Sequence, residues 1–263
     1  AQVCEAKVKL PALISDGMVL QREQCINVWG TADPGESVKI SFLKKKYTTQ
    51  ADAEGNWQVV LSPIKAGGPY TMTINELEIK NILVGDVYLC SGQSNMELPI
   101  SRVTDMFRAE VKHYTNRMIR HIKVPLNYDF QTPLSDIKPA NWKELDPQNA
   151  MQFSALGYFF AKAMYEKNNI PVGLINSAVG GSPVEAWISE EGLKPFPKYL
   201  SERDIYQSDE LIASICNNER LQSARWHEVL YKNDPGMHEP TLWFEAQYND
   251  SDWKTVDLFD TSW

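Results

Sequence analysis

The chain has 263 residues, 34 acidic against 26 basic side chains, and a net charge of −8. That length supports one large domain or two smaller ones. The acidic balance, with Lys44-Lys45-Lys46 as the one basic run, excludes a basic nucleic-acid-binding face. No apolar stretch approaches the ~18 residues that a membrane span requires. The first residue is Ala1, as expected of a processed chain, and a removed signal peptide would make the protein periplasmic or secreted. Four widely spaced cysteines (Cys4, Cys25, Cys90, Cys216) show no metal-ligand spacing, so no metal is expected. Cys4 and Cys25 could pair in an oxidising compartment, or both remain buried thiols.

Residues 1–80 read as a small all-β sandwich. Val38, Ile40 and Phe42 alternate with polar neighbours, as do Trp57, Val59 and Leu61, then Tyr70, Met72 and Ile74. Turn chemistry separates these runs at Asp16-Gly17, Pro34-Gly35, Gly55-Asn56 and Gly67-Gly68-Pro69. Such a layer acts as a scaffold or holds sugars on its surface.

Residues 81–235 follow a different pattern. Ile82 to Cys90 is almost continuously apolar, as in a strand buried on both faces of a parallel sheet. Met118–Val124 and Ile170–Ser177 are two further strands. Between them the pattern predicts a helix capped by Ser154, with a buried stripe of Leu156, Phe159, Phe160, Ala163 and Met164, ending at Asn168-Asn169. Strands alternating with helices define an α/β layer. From Gly192 to about Asp234 the chain is polar and helical in spacing, with Leu211, Ile212 and Ile215 on one face. Residues 236–263 turn β-like again at Thr241–Phe244 and Asp252–Val256, as at the start of a β-rich insertion.

Two segments carry candidate chemistry. Ser94 lies just past the carboxyl end of the first apolar strand, where open α/β sheets bind ligands. A serine hydroxyl needs a base and oxyanion donors to act as a nucleophile, and a helix start supplies unpaired amides. The same spacing, Ser94-Asn95-Met96-Glu97, also fits a capping box in which the serine merely caps a helix. It is not a Gly-x-Ser-x-Gly elbow, because Met96 fills the last glycine position. The second segment is Gly180-Gly181-Ser182-Pro183-Val184-Glu185. Its glycines let backbone amides approach a ligand oxygen. It reads equally as a tight turn in which Ser182 caps and Glu185 completes a capping box. Trp187, just beyond, packs in the core or stacks on a sugar.

Together, Gly85–Glu97 (with its Ser91-Gly92-Gln93-Ser94-Asn95-Met96 core), Pro171–Trp187 and Ser15–Arg22 resemble the sialate O-acetylesterase family of SGNH-type carbohydrate esterases. The resemblance runs over essentially the whole chain. It implies a flavodoxin-like α/β/α sandwich preceded by a β-domain and interrupted by a β-rich insertion. It makes Ser94 the nucleophile and places the Ser94 and Gly181 amides, with Gly180 as second choice, in the oxyanion hole. Gln93 and Asn95 would contact substrate. The substrate would be an O-acetylated sialic acid, or an acetylated polysaccharide such as xylan, with no cofactor.

The sequence departs from that pattern in one respect. The family's later Gln-Gly-Glu-x-Asn and Asp-x-x-His blocks are absent, and of His113, His121, His227 and His238 none has the expected aspartate three positions before it. Three buried strands also fall short of a five-stranded flavodoxin-like sheet and leave an apolar edge. The expectation is an incomplete catalytic domain, completed by a longer chain or a second polypeptide. The rival reading is a noncatalytic carbohydrate-binding fragment.

Overall fold

The computed structural model describes residues 8–127, 129–238 and 240–255. They fall into two units, Ala1–Pro195 and Phe196–Trp263.

The first unit begins with seven strands: β1 (Val19–Gln21), β2 (Ile26–Thr31), β3 (Ser37–Phe42), β4 (Lys45–Gln50), β5 (Asn56–Leu61), β6 (Gly67–Ile74) and β7 (Leu77–Gly92). The alternating positions point inward as expected: Val38, Ile40 and Phe42 are at most 2% exposed. β2 and β5 form an antiparallel pair, and β4-β3-β6-β7 form an antiparallel run. Val28, Trp57 and Leu61 of the pair share one core with Ile40, Met72 and Ile74 of the run. The three lysines sit at the β3–β4 turn and on edge strand β4, exposed, where charge discourages further strand pairing.

The α/β layer follows: α1 (Ser94–Glu97), α2 (Thr104–His113), β8 (Asn116–Lys123), β9 (Lys143–Leu145), α3 (Pro147–Ala150), α4 (Ala155–Asn168), β10 (Val172–Ala178) and α5 (Glu190–Leu193). β7 is one 16-residue strand that serves both layers. It pairs with β6 over its first part, with β1 at Leu83–Gly85, and in parallel with β10 from Asp86 to Gly92. The sheet continues β10-β8-β9, the last strand antiparallel. The result is an α/β fold with a mixed sheet, α1 and α4 lying against it. Ile119, Val172, Leu174 and Cys90 face the core under α4, whereas Ile122, Val87 and Ile175 face the β-layer core.

Three sequence expectations change here. The parallel order β7-β10-β8 puts the last strand in sequence between the other two, whereas a flavodoxin-like order would centre the first. The apolar run Ile82–Cys90 is not buried throughout: Ile82, Leu83 and Val84 are fully buried, but Leu89 is 68% exposed. The α4 stripe is rotated. Ser154 caps the helix by accepting the Gly157 N–H (3.1 Å), and Asn169 ends it in the left-handed conformation, as expected. The fully buried face, however, is Ala155, Gly157, Tyr158 and Ala161; of the expected stripe Phe159 and Met164 pack against this core, while Leu156, Phe160 and Ala163 are exposed. Small residues let α4 approach the sheet closely, so that a Cβ on Gly157 would come within 3.2 Å of Leu174.

The second unit is dominated by α6 (Pro197–Tyr206) and α7 (Asp209–Asn233). Leu211, Ile212 and Ile215 are half-buried, yet no residue of α7 is fully buried. Over residues 240–255 turns replace the expected strands, and Trp243, Tyr248 and Trp253 cluster with ring centroids 5.2–6.3 Å apart. Val256 and Cys4, invoked above for a strand and a disulfide, lie outside the described residues.

Candidate active site

Ser94 begins α1 at the carboxyl ends of β7 and β10 and is exposed. It does not cap the helix. Gln93 holds the N-cap position, so the Ser94 hydroxyl is not spent on a helix amide. Nor does Glu97 close a capping box: its carboxylate accepts the Gly180 N–H instead (2.5 Å). Lys123 Nζ lies 3.9 Å from the other Glu97 oxygen. The two motifs singled out in the sequence therefore meet. A Cβ on Gly180 would stand 2.7 Å from Glu97 Oε2 and 3.7 Å from Ser94 Oγ.

The glycine turn is held from several sides. Val179 N–H donates to the Gly92 carbonyl (2.9 Å), which ties it to the loop before Ser94. Gly92 and Gly181 both have positive φ, at 135° and 77°, a conformation that suits glycine. Gly181 has open space where a side chain would be. The Gly180 amide is committed to Glu97, whereas no hydrogen bond engages the Gly181 amide among the described residues. Gln93 Nε2 reaches the Ser182 carbonyl (3.4 Å), and Asn95 is exposed.

Ser182 differs from its expected capping role. Its hydroxyl donates to the Val179 carbonyl (2.7 Å) and accepts the Trp187 indole N–H (2.8 Å). Trp187 is 40% exposed, so it is not a core residue. It lines a cleft of about 630 Å³ between the glycine turn and the irregular segment 124–138, whose walls include Leu126, Phe130 and Leu134. That segment carried no periodic signal in the sequence, and its contribution to the cleft was not anticipated.

Among the described residues of this unit no histidine stands beside Ser94. His121 is buried and stacks on Phe153 (centroids 4.5 Å) with Nε2 unpartnered. Burial pushes its pKa down to about 4, and Lys123 adds to the shift. His113 is an exposed residue at the end of α2. In the second unit, His227 and His238 are hydrogen-bonded to the Ser223 and Tyr231 carbonyls. Among the described residues no three His, Cys, Asp or Glu side chains converge as a metal site. Burial raises the Cys90 thiol pKa, as in an inert core cysteine.

An exposed serine thus stands at the strand ends of an α/β sheet, facing a glycine turn beside a cleft, where open α/β sheets bind ligands. Comparison with known proteins narrows this. A family described as carbohydrate esterase, sialic acid-specific acetylesterase, matches residues 84–216, and the chain belongs to that family. It is 28% identical to the sialate O-acetylesterase of Mus musculus over 92% of this chain and 52% of that protein. It is 30% identical to the Homo sapiens sialate O-acetylesterase over 71% of this chain and 40% of that protein. Among solved structures it resembles a carbohydrate acetylesterase from Xanthomonas citri, with TM-score 0.66 and 40% identity, over 70% of this chain and 43% of that one. The chain thus spans about half the length, or less, of the relatives it matches.

Proposed function

We propose that this chain supplies the nucleophile-bearing part of a carbohydrate O-acetylesterase. The observation that carries the reading is the approach of Ser94 Oγ to Gly180, in a glycine turn that itself lines the neighbouring cleft. In this reading Ser94 Oγ attacks the acetyl carbonyl carbon, and its proton passes to a base. The Ser94 and Gly181 amides receive the oxyanion. Gly180 is the weaker choice, because its amide already donates to Glu97. The sugar hydroxyl leaves with the proton, and water then releases acetate from the acetyl-serine. The base is a histidine, supported by an aspartate, that comes from the remainder of the catalytic domain in a longer chain or a second polypeptide. The open edge of β7 beyond Asp86 and exposed Leu89, Leu156 and Phe160 support that incompleteness. On this reading residues 1–80 form the β-domain, 81–235 the first part of the esterase domain and 236–263 the start of an insertion. A periplasmic or secreted location goes with glycan substrates.

The relatives' names point to an O-acetylated sialic acid. A neutral acetylated polysaccharide is the second reading, and the cleft favours it. Its ionisable lining residues are Asp129, Asp136 and Lys138, and the Lys138 amine is turned to the Leu126 carbonyl at 3.4 Å. A sialate carboxylate would find little positive charge there.

Hydrolysis of para-nitrophenyl acetate, compared between the protein and Ser94→Ala, tests the reading. Turnover that falls at least ~100-fold in Ser94→Ala supports the nucleophile. Turnover that is equal in both removes it. No turnover by either, alongside measurable glycan binding, favours the noncatalytic binding fragment. Chromatography of the active species shows whether a second polypeptide travels with it.

A further inference from the structure

We propose that the amino-terminal β-layer carries a second glycan subsite, centred on Trp29, and that the natural ligand is a neutral sugar chain long enough to occupy it together with the Trp187 cleft beside the glycine turn. The outward face of the β2–β5 pair is unusual for a scaffold. In register, Asn27, Trp29 and Thr31 stand opposite Val60, Gln58 and Asn56. Trp29 is 38% exposed, although Trp57 and Val28 already fill the core behind it. An exposed indole costs hydration free energy and contributes nothing to that core.

The surroundings of Trp29 suit a pyranose. A pyranose ring offers an apolar C–H face to an aromatic surface, and its hydroxyls both donate and accept hydrogen bonds. Side-chain amides meet both requirements. Here they are Asn27, Asn56 and Gln58, with Gln58 Nε2 already donating to Asn27 Oδ1 (3.2 Å), an order that lowers the entropy cost of binding. Trp29, Asn56 and Gln58 line a cleft of about 580 Å³. Its charged residues are Lys9, Asp52 and Asp136, so no cationic cluster awaits an acidic sugar.

Asp136 joins this cleft to the other. It lines both, and its carboxylate is fixed by the Ala12 N–H (3.2 and 3.3 Å) and the Ile137 N–H (2.8 Å). The clefts are therefore neighbours, each with an exposed tryptophan, Trp29 in one and Trp187 in the other. In the second, Trp187 is tied through Ser182 to Val179 of the glycine turn. A monosaccharide fills one cleft only, whereas a chain of sugars spans both. This extends the esterase reading, on which it rests for the acetylated end; occupation of the Trp29 cleft does not itself require Ser94 chemistry.

Calorimetric titration of the Ser94→Ala protein tests it, with the β-linked hexaoses of xylose, glucose and mannose and with sialyllactose as probes. At least one hexaose should bind more tightly than sialyllactose. Trp29→Ala should weaken that hexaose about tenfold, whereas Val60→Ala, on the same outward face, should leave it unchanged and show that the face tolerates substitution. The proposal is overturned if no hexaose binds, if sialyllactose is preferred, or if Trp29→Ala binds the hexaose as the parent does. Failure of the esterase reading shows instead as aryl acetate turnover indifferent to Ser94, so the two failures are distinguishable.

Discussion

The two halves of β7 share one strand and one kind of sequence, yet they meet different surroundings. Leu83, Val84 and Gly85 are buried between β6 and β1, with strands on both edges. From Asp86 onward only one edge is taken. The Asp86 N–H donates to the Pro171 carbonyl, so alternate residues Tyr88 and Cys90 direct their backbone toward β10. Val87, Leu89 and Ser91 direct theirs to the opposite edge. There the Gln21 side chain accepts the Val87 N–H (2.9 Å), and no strand pairs beyond it among the described residues. Apolar sequence thus records what a strand is built to meet, and burial records what it has met. In the first half the two agree, and in the second they do not.

The most severe test of the closed half is a charge at its centre. Val84 is fully buried, and Val84→Asp would place a carboxylate where nothing can pair with it. We expect a loss above ~4 kcal/mol, seen as failure to recover folded protein or as a collapsed urea midpoint. A variant that folds with near-parent stability would mean that the two halves differ less than their burial indicates.

Arg120 gives the next largest effect, because it ties the closed side together. Its guanidinium donates to the Arg117 and Gly17 carbonyls and to Asn81 Oδ1, and lies 3.3 Å from Glu144. Its side chain is only 3% exposed. Arg120→Leu removes all four contacts and should cost roughly 2–4 kcal/mol by chemical denaturation.

His121, next to Arg120 on β8, packs on the other core against Phe153 and carries a pH signature. Its folded pKa is about 4, against about 6.5 when unfolded. The fold therefore favours the neutral ring. This contribution is complete above pH ~6.5 and is lost as the pH falls toward ~4, amounting to roughly 3 kcal/mol. His121→Phe, which keeps the stack on Phe153, should flatten the stability profile across that window.

The same contrast explains what the sequence revealed. Strands with a buried and a solvated face declared themselves by alternation, as at Val38, Ile40 and Phe42. The turn of α4 was misread because Leu156 and Phe160 look like core residues, whereas Ala155, Gly157 and Ala161 make the close contact. Ser94 and the glycine pair were legible as motifs, but their meeting depends on β7 and β10 being neighbours, a long-range fact. The Glu97–Gly180 hydrogen bond was hidden for the same reason: a capping box is local, and Glu97 instead bonds a residue 83 positions away. The Trp187 cleft stayed invisible because segment 124–138 has no period from which to read it.

The smallest effect on this chain is expected at the open half, and it sharpens the comparison most. Leu89 is 68% exposed, so Leu89→Asp loses little burial and creates no buried charge. Its stability should stay within ~0.5 kcal/mol of the parent, against the loss expected for Val84→Asp only five residues earlier. If the open edge receives the remainder of the catalytic domain, the same carboxylate becomes costly once that part is present. It would then sit beside a newly paired strand, on a face meant to be covered. Aryl acetate turnover of the assembled enzyme should fall, while the isolated chain unfolds at the parent's urea concentration. An assembled Leu89→Asp enzyme with parent turnover and stability would show that this half of β7 is a solvent edge by design, and would place the missing base on another side of Ser94.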